Sequence, residues 1–187
     1  MAFIVVIVLL LLWGVAVYNK LVGLRNRAAG AWADIDVQLK RRHNLVANLV
    51  ETVKGYAQHE RSTLEEVVRA RNQAESARGG GSVRETGVAE SLLGQQIRSL
   101  FALAEAYPDL KANEGFRDLQ ASLEKLEADI QNARRYYNAV VRDFNTRIQS
   151  VPDTFIARTF GFKERDFFEL EDAAERAVPK VDFGTGS

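Results

Sequence analysis

Apolar residues form an unbroken run at the start of the chain and then thin into a periodic stripe. In AFIVVIVLLLLWGVAVY, Ala2 to Tyr18, no charged residue occurs. As a helix that stretch covers about 25 Å, the short end of a bilayer crossing. Beyond it, Leu21, Leu24, Ala28, Ala31, Ile35, Leu39, Val46, Leu49, Val53, Tyr56, Ala57, Leu64 and Val67 share one broad face when residues are placed at about 100° each. Such a stripe predicts a helix buried along one side, in a bundle or a coiled coil. No proline lies between Tyr18 and Ala77, and the weak points are Gly23, Gly30 and Gly55. Each costs about 1 kcal/mol against alanine in a helix interior. The pattern therefore predicts that span and stripe form one rod, on the order of 110 Å long.

The rest of the chain supplies partners for the stripe. SARGGGSVRETG, Ser76 to Gly87, reads as a flexible linker. A second helix follows, with Leu93, Ile97, Leu100 and Ala104 at helical spacing, and ends before Pro108. From Asn113 to Ser150 the period is cleanest, through Phe116, Leu119, Leu123, Leu126, Ile130, Ala133, Tyr137, Val140, Phe144 and Ile148. This third helix is about 55 Å long and the second about 30 Å, so the second leaves part of it uncovered. The C-terminal segment is expected to fill the gap, because Phe155, Ile156, Phe160, Phe162, Phe167 and Phe168 carry apolar area that needs burial. A neighbouring subunit or a lipid surface are the other occupants these rings could meet. Gly161 is expected to break the segment into two short pieces, and Pro179 to end the last of them.

The predicted fold class is all-α. An N-terminal transmembrane helix continues into a long helix of an antiparallel helical bundle, and a short helical Phe-rich segment follows. The anchor takes residues 1–19, the bundle 20–183 with its linker at 76–87, and a disordered tail 184–187.

Charge adds orientation. Lys20, Arg25 and Arg27 follow the span, and no acid intervenes before Asp34. The positive-inside rule then puts the N-terminus outside and the bundle in the cytoplasm, the topology of a single-pass membrane protein. These three membrane-proximal bases are candidates for anionic headgroups, each contributing about 1 kcal/mol near the surface. A cleaved signal peptide would want a basic n-region, which is missing, and only Gly14-Val15-Ala16 imitates a cleavage site. Over the whole chain 25 basic residues balance 25 acidic ones, which argues against nucleic acid as a partner.

Candidate chemistry is thin. With no cysteine and two histidines in 187 residues, disulfides, thiolate chemistry and sulfur-ligated zinc are excluded. His59-Glu60 begins like a zincin motif, but HERST has Thr63 where the second histidine must stand. Asp34 and Asp36 lie on opposite flanks of the first helix, and Glu124 and Glu127 read as a solvated edge of the third. No GxSxG occurs, and GGGSV lacks a phosphate loop's lysine. No enzymatic activity, cofactor or metal is expected. In KRRHNLVANLVETVKGY, the basic residues at 40, 41 and 43 fan around the helix, and only Arg42 falls inside the apolar stripe. An unpaired buried guanidinium costs several kcal/mol, so Arg42 should find a carboxylate or carbonyl. It is either an ordinary interhelix ion pair or a device that fixes register or an oligomer contact. Glu60 returns to the same angle eighteen residues on.

YNKLVGLRNR, AWADIDVQLKRRHNLVANLVETVKGYAQHE, ARN at 70–72, ARRYYNAVVRDFNTRIQSVP and FGFKERDFFELEDAAERAVPKVDF together resemble the LemA family of bacterial membrane proteins. The likeness is collinear over nearly the whole chain. It implies an anchor with a small external N-terminus, a cytoplasmic antiparallel bundle and a poorly defined molecular role. Members of the family resemble a protein used in building bacterial organelle membranes, which points towards scaffolding. The expected function is a membrane-anchored, self-associating scaffold or adaptor, with a membrane-shaping polymer as the alternative. The lipid bilayer, further copies of the chain, and a membrane protease or signalling protein are the expected partners.

Overall fold

The structure, a computed structural model, describes residues 1–57 and 59–169. Its elements are α1 (Ala2–Lys54), α2 (Arg61–Gly80), α3 (Val83–Ala104), the single turn α4 (Pro108–Ala112), α5 (Glu114–Gln149) and α6 (Asp153–Thr159). Among the described residues there is no strand, and the all-α class holds, with the apolar N-terminal stretch continuous into the bundle. The second piece is not helical where it is described, over 162–169, and its expected end at Pro179 and the tail 184–187 lie outside the described residues.

α1 passes through Gly23 and Gly30 without a break, as the stripe predicts, but it stops before Gly55. The rod is therefore about 80 Å long, and the expected continuation to Ala77 is corrected: the chain reverses between Gly55 and Glu60, and α2 returns alongside α1. The stripe could not reveal this reversal. Leu64, Val67, Ala70 and Ala74 keep the helical period and are buried, but against α3 and the end of α1.

The glycine-rich linker is corrected too. α2 extends through Gly79 and Gly80, and α3 begins at Val83, leaving Gly81 and Ser82 as the connection. A capping box makes so short a turn possible. The Ser82 side chain accepts from the Glu85 amide and the Glu85 carboxylate accepts from the Ser82 amide at 2.7 Å, so two donors at the start of α3 are satisfied. Thr86 adds a hydroxyl bond back to the Ala77 carbonyl, tying the two helices.

The core has three tiers along α1 and α5, the two longest helices. In the distal tier, Val46, Leu49 and Val53 of α1 meet α2, α3, Leu110 and the start of α5. The middle tier joins Ala28, Ala31, Ile35 and Leu39 to Leu126, Ile130, Tyr137 and Val141 of α5, with Phe168 inserted. The proximal tier holds Val17 and Leu21 against Phe144, Ile148 and Ala157. The α2–α3 hairpin ends near the middle tier, where Arg78 pairs with Asp36 at 2.8 Å. Among the described residues, the bundle below it consists of α1, α5, α6 and the extended segment 162–169.

Candidate functional site

Two arrangements stand out: a buried polar cluster between the four long helices, and an aromatic surface beside the inner end of the apolar stretch.

The cluster centres on Glu90 of α3, which has no exposed surface. Arg42 Nη1 donates to its Oε2 at 3.2 Å, and His43 Nε2 lies 2.6 Å from its Oε1. The other Arg42 terminal nitrogen, Nη2, pairs with Glu127 of α5 at 3.2 Å. From α2, Arg71 donates Nε to the His43 carbonyl at 2.9 Å. Each of the four long helices therefore contributes a residue. A side chain at Gly94 would place its Cβ 2.9 Å from Arg42 Nη2, so glycine there makes the space the guanidinium occupies. Breaking a buried pair by removing one partner costs about 3–5 kcal/mol, because the remaining charge keeps its desolvation penalty. A shifted helix would break several of these contacts at once.

The carboxylate partner expected for Arg42 is thus Glu90, with Glu127 beside it. Glu60 is elsewhere: it is the residue before α2 and accepts from the Tyr107 hydroxyl at 3.4 Å. Its shared angle with Arg42 presupposed a continuous helix, which the reversal at Gly55 removes. Glu127, expected on a solvated edge, is half-buried through Arg42, while Glu124 remains exposed and accepts from Gln120. The sequence reading missed Glu90 and His43. The signal for Glu90 was available, since it is in phase with Leu93, Ile97, Leu100 and Ala104 on the buried side of α3. His43 sits at the edge of its stripe, beside Arg42, and it is buried where Glu90 of α3 meets its ring.

A groove of about 750 Å³ opens between α1 and α2, lined by residues such as Val50, Lys54, Leu64, Glu65 and Val68, none of which belongs to the polar cluster. Among the described residues no three metal-ligating side chains converge.

At the other end, the C-terminal aromatics divide. Phe168 is fully buried against Trp32, with ring centroids 5.4 Å apart, and Phe162 packs edge-on to Phe144 and Tyr18. Phe155, Phe160 and Phe167 are exposed. Segment 162–169 is held by side chains of α5 rather than by a helix ladder. Asn138 donates to the Phe168 carbonyl at 3.0 Å and accepts from the Phe168 amide at 2.9 Å. One heptad further along α5, Asn145 does the same for Arg165, at 2.9 Å in both directions. Seven helical residues rise about 10.5 Å, close to three residues of extended chain at about 3.3 Å each. The two asparagines therefore meet the segment in register. Between them Tyr137 donates its hydroxyl to the Asp166 carbonyl at 3.0 Å. Burial pushes the Tyr137 phenol up, with Arg165 opposing and Asp166 reinforcing the shift.

The membrane-proximal bases Lys20, Arg25 and Arg27 are all exposed. They follow one another along α1 without forming a shared pocket, and the Arg25 guanidinium lies 5.6 Å over the Phe162 ring.

These features define a class: an all-helical bundle whose longest helix carries, at one end, a segment long and apolar enough to cross a membrane. Comparison with known proteins narrows it. The model of the LemA family matches residues 31–183, and the chain belongs to that family. It is 24% identical to magnetosome protein MamQ 1 of Paramagnetospirillum magneticum over 86% of this chain and 68% of the relative. Magnetosome protein MamQ of Magnetospirillum gryphiswaldense matches with the same identity and coverage. Protein LemA of Metamycoplasma hominis is also 24% identical, over 89% of this chain and 73% of the relative.

Proposed function

We propose that the protein is a single-pass membrane scaffold. Its bundle, placed in the cytoplasm, is carried on the same helix that crosses the bilayer, and it self-associates to present the distal tier to partners. The observation that carries this reading is the continuity of α1: residues 2–13 are exposed along their whole length, whereas from Val17 to Val53 the same helix supplies buried residues to all three core tiers. An anchor joined through a flexible tether would leave the bundle free to tumble. A continuous helix fixes its height and tilt relative to the bilayer. Lys20, Arg25 and Arg27 on the bundle side support a cytoplasmic bundle.

Two measurements on cells test the proposal. Protease added outside intact cells is expected to spare α5, while membrane extraction at high pH is expected to leave the full chain in the pellet. Digestion of α5 from outside overturns the orientation, and recovery in the soluble fraction overturns the anchor. Detergent-extracted particles of a few copies fit the scaffold, whereas large uniform rings or cages select the membrane-shaping polymer.

A further inference from the structure

We propose that α6 and its flanks form a second membrane contact, an aromatic wedge that enters the same leaflet as the base of the span; the proposal rests on α1 crossing the bilayer. Three observations carry it.

Depth is the first. The Ile156 side chain reaches 3.6 Å from where a Cβ at Gly14 would stand, and Gly14 lies inside the charge-free stretch of α1. The Phe160 ring packs on Tyr18 at 4.8 Å. Lys20, the first charged residue after the stretch, is six positions from Gly14, or about 9 Å along the helix axis. With Lys20 at the headgroups, the α6 residues lie at or below them.

The second is an inverted polarity. α6 buries its polar start, Asp153 and Thr154, with Asp153 paired to Arg147 at 2.7 Å. Ile156 packs inward on the proximal tier, but Phe155 is 64% exposed and the residues flanking the helix, Val151 and Phe160, are 75% and 58% exposed. A surface facing water would show the opposite arrangement, and large exposed apolar rings grouped in this way mark an interaction site. Lipid is the occupant that explains both, because the outward face continues the uncovered apolar surface of α1 around Val15 and Tyr18.

The third is the collar. Arg158, within α6, and Lys163, just beyond it, are exposed, and Lys20, Arg25 and Arg27 stand at the same end of the bundle. Aromatic rings below a ring of cations are the pattern of an interfacial element, with apolar area buried at the acyl boundary and bases at the phosphates. The wedge also fixes rotation. A lone span can spin about its axis, whereas α6, held to α1 and α5, meets the membrane only on its own side.

The absence of cysteine from the sequence permits a clean test. Single spin labels are introduced into the full chain at Phe155→Cys, Phe160→Cys, Leu11→Cys and Val88→Cys, all exposed positions. The protein is reconstituted in vesicles of zwitterionic and anionic phospholipid, and each label's collision rates with oxygen and with a water-soluble nickel chelate are measured. Leu11 reports the span and Val88 the water-facing bundle. The expected result is that labels at 155 and 160 favour oxygen over the chelate several-fold more than the label at 88, approaching the ratio at 11. If 11 is lipid-like and 155 and 160 match 88, the wedge is overturned and the anchor stands. If 11 itself is water-like, the anchor has failed. Labels at 155 and 160 shielded from both reagents mean that protein, such as a second copy, covers the surface, and this too overturns the proposal.

Discussion

The distal and proximal halves of the bundle solve the same packing problem with different means. In the distal half four helices meet, and each buries an apolar stripe against the others. Near its lower edge a charged cluster, Arg42, His43, Glu90 and Glu127, joins three of them. In the proximal half, among the described residues, α1 and α5 are the long helices that continue, and the missing pair is replaced by about two turns of helix and an extended segment. That segment is held by asparagine amides and two inserted rings. The distal half is thus secured by interhelix charge inside a complete helical wall, and the proximal half by side-chain bonds to a backbone that has no ladder of its own. The first should open only with the whole bundle. The second can open by itself.

The sharpest way to break that contrast is to remove Glu90. Glu90→Ala leaves Arg42 without one of its carboxylates and His43 without the ring partner it has among the described residues, so a loss of about 3–5 kcal/mol is expected. The whole bundle should lower its melting temperature together, in one transition. The pair Arg42→Met with Glu90→Leu should recover part of the loss, since a buried ion pair exchanged for apolar groups is often neutral. A Glu90→Ala protein that melts like the parent would show that the cluster does not secure the register.

Asn138→Ala tests the other half. It removes two hydrogen bonds and leaves the Phe168 amide and carbonyl unpaired, an expected cost of about 2 kcal/mol. Hydrogen exchange should speed up at Arg165 and Phe168 while the amides of α2 and α3 keep their protection. If the α2–α3 hairpin loosens equally, the two halves are one cooperative unit and the distinction fails.

The same contrast explains what could be read from the chain. Helix stripes have a period, and most of the buried positions of α3 and α5 between Leu93 and Ala104 and between Phe116 and Ile148 were legible, although Gly94, Val141 and Asn145 join them and Leu119 and Ala133 are only partly buried. The reversal after Lys54 was not, because a stripe keeps its phase across a hairpin whose two helices bury the same kind of face. Tyr56 shows the consequence: it fits the projected stripe but is exposed in the turn, where its hydroxyl accepts from Asn113. The Arg42 position announced itself as a charge on an apolar face, whereas its partner required reading α3 by the same rule. Asn138 and Asn145 gave no such signal. Each bonds to extended backbone, and extended backbone with outward and inward aromatics leaves no helical period from which to infer its path.

The smallest expected effect lies where the two halves join, at the turn between α2 and α3. The Ser82 amide donates to the Glu85 carboxylate, and this bond, with the Ser82 hydroxyl second, holds the Glu85 carboxyl below its ordinary value of 4.5. A carboxyl lowered in the folded state contributes its stability fully above the unfolded value, and that contribution is lost as pH falls through the lower folded value. The turn should therefore weaken only on acidification below about 4.5, with no change from this group between pH 6 and 8. Ser82→Ala removes the hydroxyl half of the box at an expected cost of about 1 kcal/mol, and Glu85→Gln removes the titration while keeping an acceptor. Melting curves from pH 7 down to about 3 separate the contributions: Ser82→Ala shifts the curve downward at neutral pH, whereas Glu85→Gln flattens its acid limb. Because Thr86 also ties α3 to Ala77, the hairpin should stay closed in both variants. An α2–α3 turn that opens in either would mean that the junction depends on its cap and not on the tiers it connects.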